Sequence, residues 1–122
     1  MKIALIGYGK MGKAVENVAL TRGHRIVKID PIVSNSDFKE INASSLSGVD
    51  VCIDFTAPAV IFENVKKVYA LGKNLVIGTT GWYDKMNEMK SNTNGIGCIW
   101  SGNFSIGMNV FFHAVAETAK VM

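Results

Sequence analysis

The sequence predicts an α/β domain built on an open, doubly wound parallel sheet, and three features predict it. A short apolar run at Lys2–Ile6 leads straight into Gly7-Tyr8-Gly9-Lys10-Met11-Gly12 and then into an amphipathic stretch ending at Arg22. Strand-like and helix-like segments alternate along the rest of the chain. The strand-like runs are short and apolar, as expected of parallel strands covered on both faces.

The first strand is Lys2–Ile6. The first helix spans about Lys10 to Arg22, where Met11, Ala14, Val15 and Val18 recur at helical spacing and are expected to face the core. Gly23 is a natural stop for it. A second strand, Arg25–Asp30, ends at Pro31. Pro31 to Gly48 is polar, rich in Ser and Asn, and reads as a loop with room for one short helix or edge strand. Val51–Phe55 is the third strand. Pro58 suits the first turn of a helix that continues through Val65 and Val68 to Leu71 and stops at Gly72. Asn74–Gly78 is the fourth strand, and a short helix follows at about Tyr83–Lys90. Asn92–Gly95 is a turn, Gly97–Ser101 the fifth strand, and Ser105 the cap of a final helix.

The segment between strands two and three is too short for a full helical crossover to a distant edge. Strand three is therefore placed on the other side of strand one, giving the order 2-1-3-4-5. Open α/β sheets bind ligands where the strand order reverses. That point lies between strands one and three, with Phe55-Thr56-Ala57-Pro58 across from the glycine turn.

Bulk properties narrow the function. At 48% hydrophobic and 19% charged residues, the chain has the composition of an ordinary globular domain. A net charge of +3 is mild, the basic residues are scattered, and no basic stripe is interleaved with aromatics, which gives nucleic-acid binding little support. No apolar stretch is long enough to span a bilayer. Cys52 and Cys98 lie in strand-like runs and are expected to be reduced thiols of a cytoplasmic protein. No His–Cys spacing suggests a metal site. No nucleophile–base pair or carboxylate dyad is present, so no catalytic residue is assigned.

The glycine turn carries the chemistry. Following a strand and opening a helix, it presents backbone N–H groups and a helix N-terminus to a pyrophosphate. Gly7 would allow the tight turn, Gly9 the close approach of phosphate, and Gly12 close helix–strand packing. Lys10 and Lys13 flank it, as phosphate-attracting charges or as a solvated helix face. Asp30 closes strand two, where an acid accepts hydrogen bonds from the adenosine ribose and repels a 2′-phosphate. No Arg follows it, which favours NADH over NADPH. Gly78-Thr79-Thr80-Gly81 ends strand four at the carboxyl edge, either as a nicotinamide contact or as a plain strand-to-helix turn. Ser101-Gly102-Asn103-Phe104-Ser105 ends strand five in the same layer. His24, His113, Trp82 and Trp100 are expected to be structural or surface residues.

Taken together, Gly7–Gly12, Ile53-Asp-Phe-Thr-Ala-Pro58, Val76-Ile-Gly-Thr-Thr-Gly-Trp82 and Ser101-Gly-Asn-Phe-Ser-Ile-Gly-Met-Asn109 resemble the dihydrodipicolinate reductase (4-hydroxy-tetrahydrodipicolinate reductase) family of lysine and diaminopimelate synthesis. The resemblance implies a Rossmann-like cofactor domain in which Gly7, Tyr8, Gly9, Lys10, Met11 and Gly12 hold the pyrophosphate. It implies Asp30 on the ribose, Phe55 and Thr56 facing the glycine turn, and Gly78, Thr79 and Thr80 on the nicotinamide side. Ser101, Gly102, Asn103 and Phe104 would close over the ring. The cofactor is NADH or NADPH, and the reaction hydride transfer to an unsaturated cyclic dicarboxylic imine.

In that family a second domain supplies the proton donor, the substrate contacts and the tetramer. Residues 1–122 are then the dinucleotide-binding domain, and 105–122 begin the helix leading onward. On this reading the chain is inactive alone, and Val110, Phe111 and Val115 are left partly uncovered and prone to self-association. Two alternatives remain open: a stand-alone NAD(P)-sensing module, and the cofactor domain of an aspartate or homoserine dehydrogenase-like enzyme.

Overall fold

A computed structural model describes all residues, Met1–Met122. Five parallel strands form one sheet in the order β2-β1-β3-β4-β5. They are β1 (Lys2–Ile6), β2 (Arg25–Ile29), β3 (Val51–Asp54), β4 (Asn74–Ile77) and β5 (Cys98–Trp100). Four α-helices accompany them: α1 (Lys10–Thr21), α2 (Ile61–Ala70), α3 (Met86–Ser91) and α4 (Ile106–Lys120). A 3-10 turn at Tyr83–Lys85 leads into α3. β1 pairs on both edges, Leu5 lying beside Lys28 of β2 and Ile53 of β3. The predicted order and reversal point are therefore the observed ones.

Alternation along the strands divides the core unequally. Ala4, Ile6, Cys52, Leu75 and Ile77 face the side covered by Ile61, Val65 and Val68 of α2 and Met89 of α3, in a cluster of 15 buried residues. The loop before β3 closes this side with Ile41, Leu46 and Val49. It is pinned to the β2 edge: the Lys28 N–H donates to the Asp37 carboxylate, and the Asp30 N–H to the Phe38 carbonyl. One residue of it, Phe38, forms an isolated parallel bridge to Ile29, the trace of an edge strand the composition left room for.

The opposite face holds a cluster of only four buried hydrophobic residues, Ile3, Leu5, Tyr8 and Ala19. Here the helix periodicity misleads. Of the expected core face of α1, Val15 is half-buried while Met11, Ala14 and Val18 are exposed. The stripe is real, but α1 overlies β1 and β2 alone, so much of its flank meets no partner. The lateral row Leu5–Ile53–Val76–Ile99 shows the same gradient, from 1% exposure at Leu5 to 57% at Ile99.

Several local expectations shift. Pro58 sits in the turn before α2, not in its first turn; the first helical N–H, that of Ile61, donates back to Ala57. β2, β3 and β4 each end one residue early, at Ile29, Asp54 and Ile77, and β5 is trimmed to Cys98–Trp100. Ser105 caps α4 as expected, its Oγ accepting from the Met108 N–H. α4 itself buries no residue and is exposed on every side, where the residues were expected to be only partly uncovered. No helix is long and apolar enough to cross a membrane. Cys52 and Cys98 are free, and burial pushes the Cys52 thiol up to about 12.

The lopsided core makes opposite predictions for two truncations. Leu75→Ala, in the two-helix face, should cost about 2–5 kcal/mol. Val18→Ala, on the bare flank of α1, should change stability by no more than about 0.5 kcal/mol. Equal losses in urea unfolding would contradict the division.

Candidate functional site

The site is built where three strand ends meet. The Gly7 N–H donates to the Ile29 carbonyl (3.0 Å), and the Phe55 N–H donates to the Ile6 carbonyl (2.9 Å). Gly7 turns with φ +86°, and a Cβ there would lie 2.3 Å from the Phe55 carbonyl oxygen. Only glycine meets both conditions. A Cβ at Gly12 would fall 2.5 Å from the Gly7 carbonyl oxygen, so the first turn of α1 rests on the glycine turn itself. A Cβ at Gly9 would meet nothing within 4 Å, because this glycine faces the open cleft. Gly9 is also the N-cap of α1; no side chain caps the helix and its first turn holds no acid. The N–H groups of Lys10, Met11 and Gly12 thus lack intrahelical acceptors and stand at the positive end of the helix dipole.

Tyr8 is turned away from this mouth. Its ring is buried with Ile3, Leu5 and Ala19, its hydroxyl donates to the Glu16 carboxylate, and the Lys28 ammonium lies 5.4 Å from the ring centre. Its backbone N–H donates to Asp30 Oδ2 at 2.8 Å. Both polar groups are spent within the protein, and the sequence held no sign of this.

Asp30, the residue after β2, therefore does more than close the strand. Oδ1 accepts from the Ile32 and Val33 N–H groups at 2.8 and 3.0 Å. Burial pushes its pKa upward, but the N–H groups of Tyr8, Val33 and Ile32, with the Lys39 charge, outweigh burial and hold it below the ordinary aspartate value. A cleft of about 550 Å³ opens beside it, lined by Gly7, Gly9, Asp30, Phe55 and Thr56 among others. Lys39 and Lys67 line it too, and sequence reading missed both. Lys39 arrives only because the loop folds back on the β2 edge, which no local pattern announces.

Farther along the carboxyl edge, Phe55 links the cleft to β4: its ring lies where a Cβ at Gly78 would be, 2.0 Å away. Thr79 is buried and Thr80 exposed. Trp82 packs beneath them, its Nε1–H donating to the Thr79 carbonyl (2.6 Å), with Trp100 edge-on at 6.2 Å. Ser101, Gly102, Asn103 and Phe104 follow β5, outside the cleft lining. Ser101 and Asn103 hydrogen-bond each other, and Phe104 is exposed. Neither histidine is near: His24 lies 3.5 Å from the Met1 amino group, and His113 is on exposed α4.

Two predictions follow from the turn. Gly7→Ala should destabilise the fold by about 2–4 kcal/mol, since strain and overlap add. A folded pKa below the ordinary value means that Asp30 adds stability above that ordinary value and loses it as pH falls through the lower one. Asp30→Asn should therefore flatten part of the acid limb of a stability–pH curve; an unchanged limb would contradict the network.

Comparison with known proteins agrees with this geometry. Residues 1–104 match the family described as dihydrodipicolinate reductase, N-terminus. A 4-hydroxy-tetrahydrodipicolinate reductase of Christiangramia forsetii is 36% identical over 126 residues, covering 100% of this chain and 50% of that protein. One from Methanococcus maripaludis is 39% identical over 96 residues, covering 76% of this chain and 35% of that protein. The chain thus spans half or less of the length of these relatives. A conserved hypothetical protein of Pyrococcus furiosus shares the fold at TM-score 0.66 and 19% identity, covering 84% of this chain and 93% of that one. So does a pyrroline carboxylate reductase of Plasmodium falciparum solved with NADP bound, at TM-score 0.63 and 16% identity, over 82% of this chain and 41% of that one. With a family match over most of its length and the expected 2-1-3-4-5 sheet, this chain belongs to the dihydrodipicolinate reductase N-terminal domain family.

Proposed function

We propose that the chain is the nicotinamide-dinucleotide-binding, hydride-donor half of a dihydrodipicolinate reductase. The observation that carries this reading is the open space over Gly9 at the uncapped start of α1, beside Asp30. An anion seated there satisfies the free N–H groups and the helix dipole together. In this reading Gly7, Gly9, Lys10, Met11 and Gly12 form the pyrophosphate site, with Tyr8 supporting it from behind. Asp30 takes the adenosine ribose, Phe55 and Thr56 floor the cleft, and Gly78 to Thr80 with Ser101 to Phe104 form the nicotinamide side. The cofactor supplies the hydride; the chain binds and orients it.

NADH is favoured over NADPH. Asp30 stands at the ribose position, and the Lys39 ammonium is already taken up by the Val33 carbonyl and the Ser36 hydroxyl. The substrate, a small cyclic dicarboxylate, and its proton donor are assigned to the part of the relatives' length that this chain does not span. Residues 105–122 are then the lead into that region, and α4, with Val110, Phe111 and Val115 exposed, is the surface through which the isolated chain self-associates. Free thiols fit a cytoplasmic setting.

Parallel titration with NADH and NADPH, read by energy transfer from the tryptophans to the reduced nicotinamide, tests the reading. Saturable binding with NADH tighter is expected. Tighter NADPH would cancel the role of Asp30 against a 2′-phosphate, and no binding of either would overturn the assignment. The chain alone should show no NADH oxidation with the cyclic imine substrate; turnover would refute the missing-half account.

A further inference from the structure

The most buried charge in the molecule is one that the cofactor reading does not use. Asp54 ends β3 with no exposed surface, and none of the ion pairs in the structure includes it. Desolvation of a carboxylate is costly unless hydrogen bonds replace the lost water. Here four donors do so. Oδ1 accepts from the Thr56 N–H (3.0 Å), the Thr56 hydroxyl (2.7 Å) and the Thr79 hydroxyl (2.8 Å), and Oδ2 accepts from Asn64 Nδ2 (2.9 Å). Burial still raises its pKa, with the Thr56, Thr79 and Asn64 donors opposing.

These donors come from three separate segments of the carboxyl edge: the β3–α2 turn, the loop after β4, and α2. The Thr79 hydroxyl and carbonyl are both engaged within the protein. Its hydroxyl donates to Asp54 while accepting from the Thr56 N–H at 2.8 Å, and its carbonyl accepts from Trp82. The Asp54 carbonyl also receives the Gly78 N–H at 2.9 Å. Gly78 bears on the Phe55 ring, and the Phe55 carbonyl bears on Gly7. A continuous set of contacts thus runs from the loop after β4 to the glycine turn, with Asp54 at its centre.

We propose that Asp54 is a positioning residue for the dinucleotide site: its carboxylate, through the Thr79 and Thr56 hydroxyls, fixes the Gly78–Thr80 loop against Phe55 and the glycine turn. The proposal rests on the cofactor reading above. It assigns Thr79 an inward, supporting role and leaves Thr80 as the threonine open to a ligand. It also explains the need for a carboxylate. A carboxylate accepts at both oxygens, whereas an amide in its place would turn an NH2 toward either the hydroxyl donors at Oδ1 or the Asn64 NH2 at Oδ2.

The test is NADH affinity of the purified chain, with cooperative thermal unfolding recorded to show that each variant is folded. Asp54→Asn and Thr79→Val should each weaken NADH by about tenfold or more, the scale of a lost charge-assisted hydrogen bond. Thr79→Ser, which keeps the hydroxyl, should bind close to wild type. The exchange Asp54→Asn with Asn64→Asp, which restores a donor facing an acceptor, should regain part of the loss. Should Asp54→Asn fail to fold, the Thr79→Val and Thr79→Ser pair decides the question. Folded Asp54→Asn or Thr79→Val binding NADH like wild type would overturn the positioning role alone. A wild-type chain that binds no NADH would overturn the cofactor reading and this role with it.

Discussion

Everything at the carboxyl edge depends on one close approach, that of Gly7 to the Phe55 carbonyl. β1 pairs with β2 on one side and β3 on the other, so the chain leaving β1 must turn sharply between two strand ends. The turn has room for backbone only: a Cβ at Gly7 would overlap the Phe55 oxygen, and one at Gly12 would overlap Gly7. Because the backbone packs this tightly, α1 begins with its N-terminus open to the cleft and no side chain across it. The open, uncapped N-terminus of α1 is then a consequence of topology and two missing Cβ atoms.

The polar groups around that mouth are arranged to hold it still. The Asp30 carboxylate ties the Tyr8 N–H of the glycine turn to the Ile32–Val33 backbone, and so fixes the turn against the loop after β2. Asp54 does the corresponding work one layer deeper, where no water reaches. Two carboxylates with different surroundings divide the labour. The half-exposed one is held below its ordinary pKa and keeps a face toward the cleft; the buried one is surrounded by neutral donors and faces none. The second core face is left thin by comparison, with α1 its only helix and α4 buried nowhere.

Much of this is legible in the residues themselves. An apolar run followed by Gly7-Tyr8-Gly9 and a helical stripe fixes β1, the turn and α1, and the alternation of strand-like and helix-like segments fixes the parallel sheet. What periodicity does not reveal is coverage: Met11, Ala14 and Val18 form a true stripe, but its burial depends on what stands opposite. Pro58 is equally ambiguous, since a fixed φ suits a turn and a first helical residue alike. Asp54 carried a readable sign, an acid at the end of an apolar parallel strand. Its partners were hidden because Asn64 and Thr79 reach it only through α2 docking and the β4 register. Lys39 was hidden for the same reason, being delivered by the folding of a loop.

In the proposed function, the first turn of α1 receives the dinucleotide phosphates. Backbone amide chemical shifts of the chain, followed during titration with NADH, address it directly. Large, saturable changes are predicted at Gly9, Lys10, Met11 and Gly12, with Asp30 moving in step. If these amides stay fixed while shifts gather on α4 or the bare flank of α1, the site has been placed in the wrong part of the molecule.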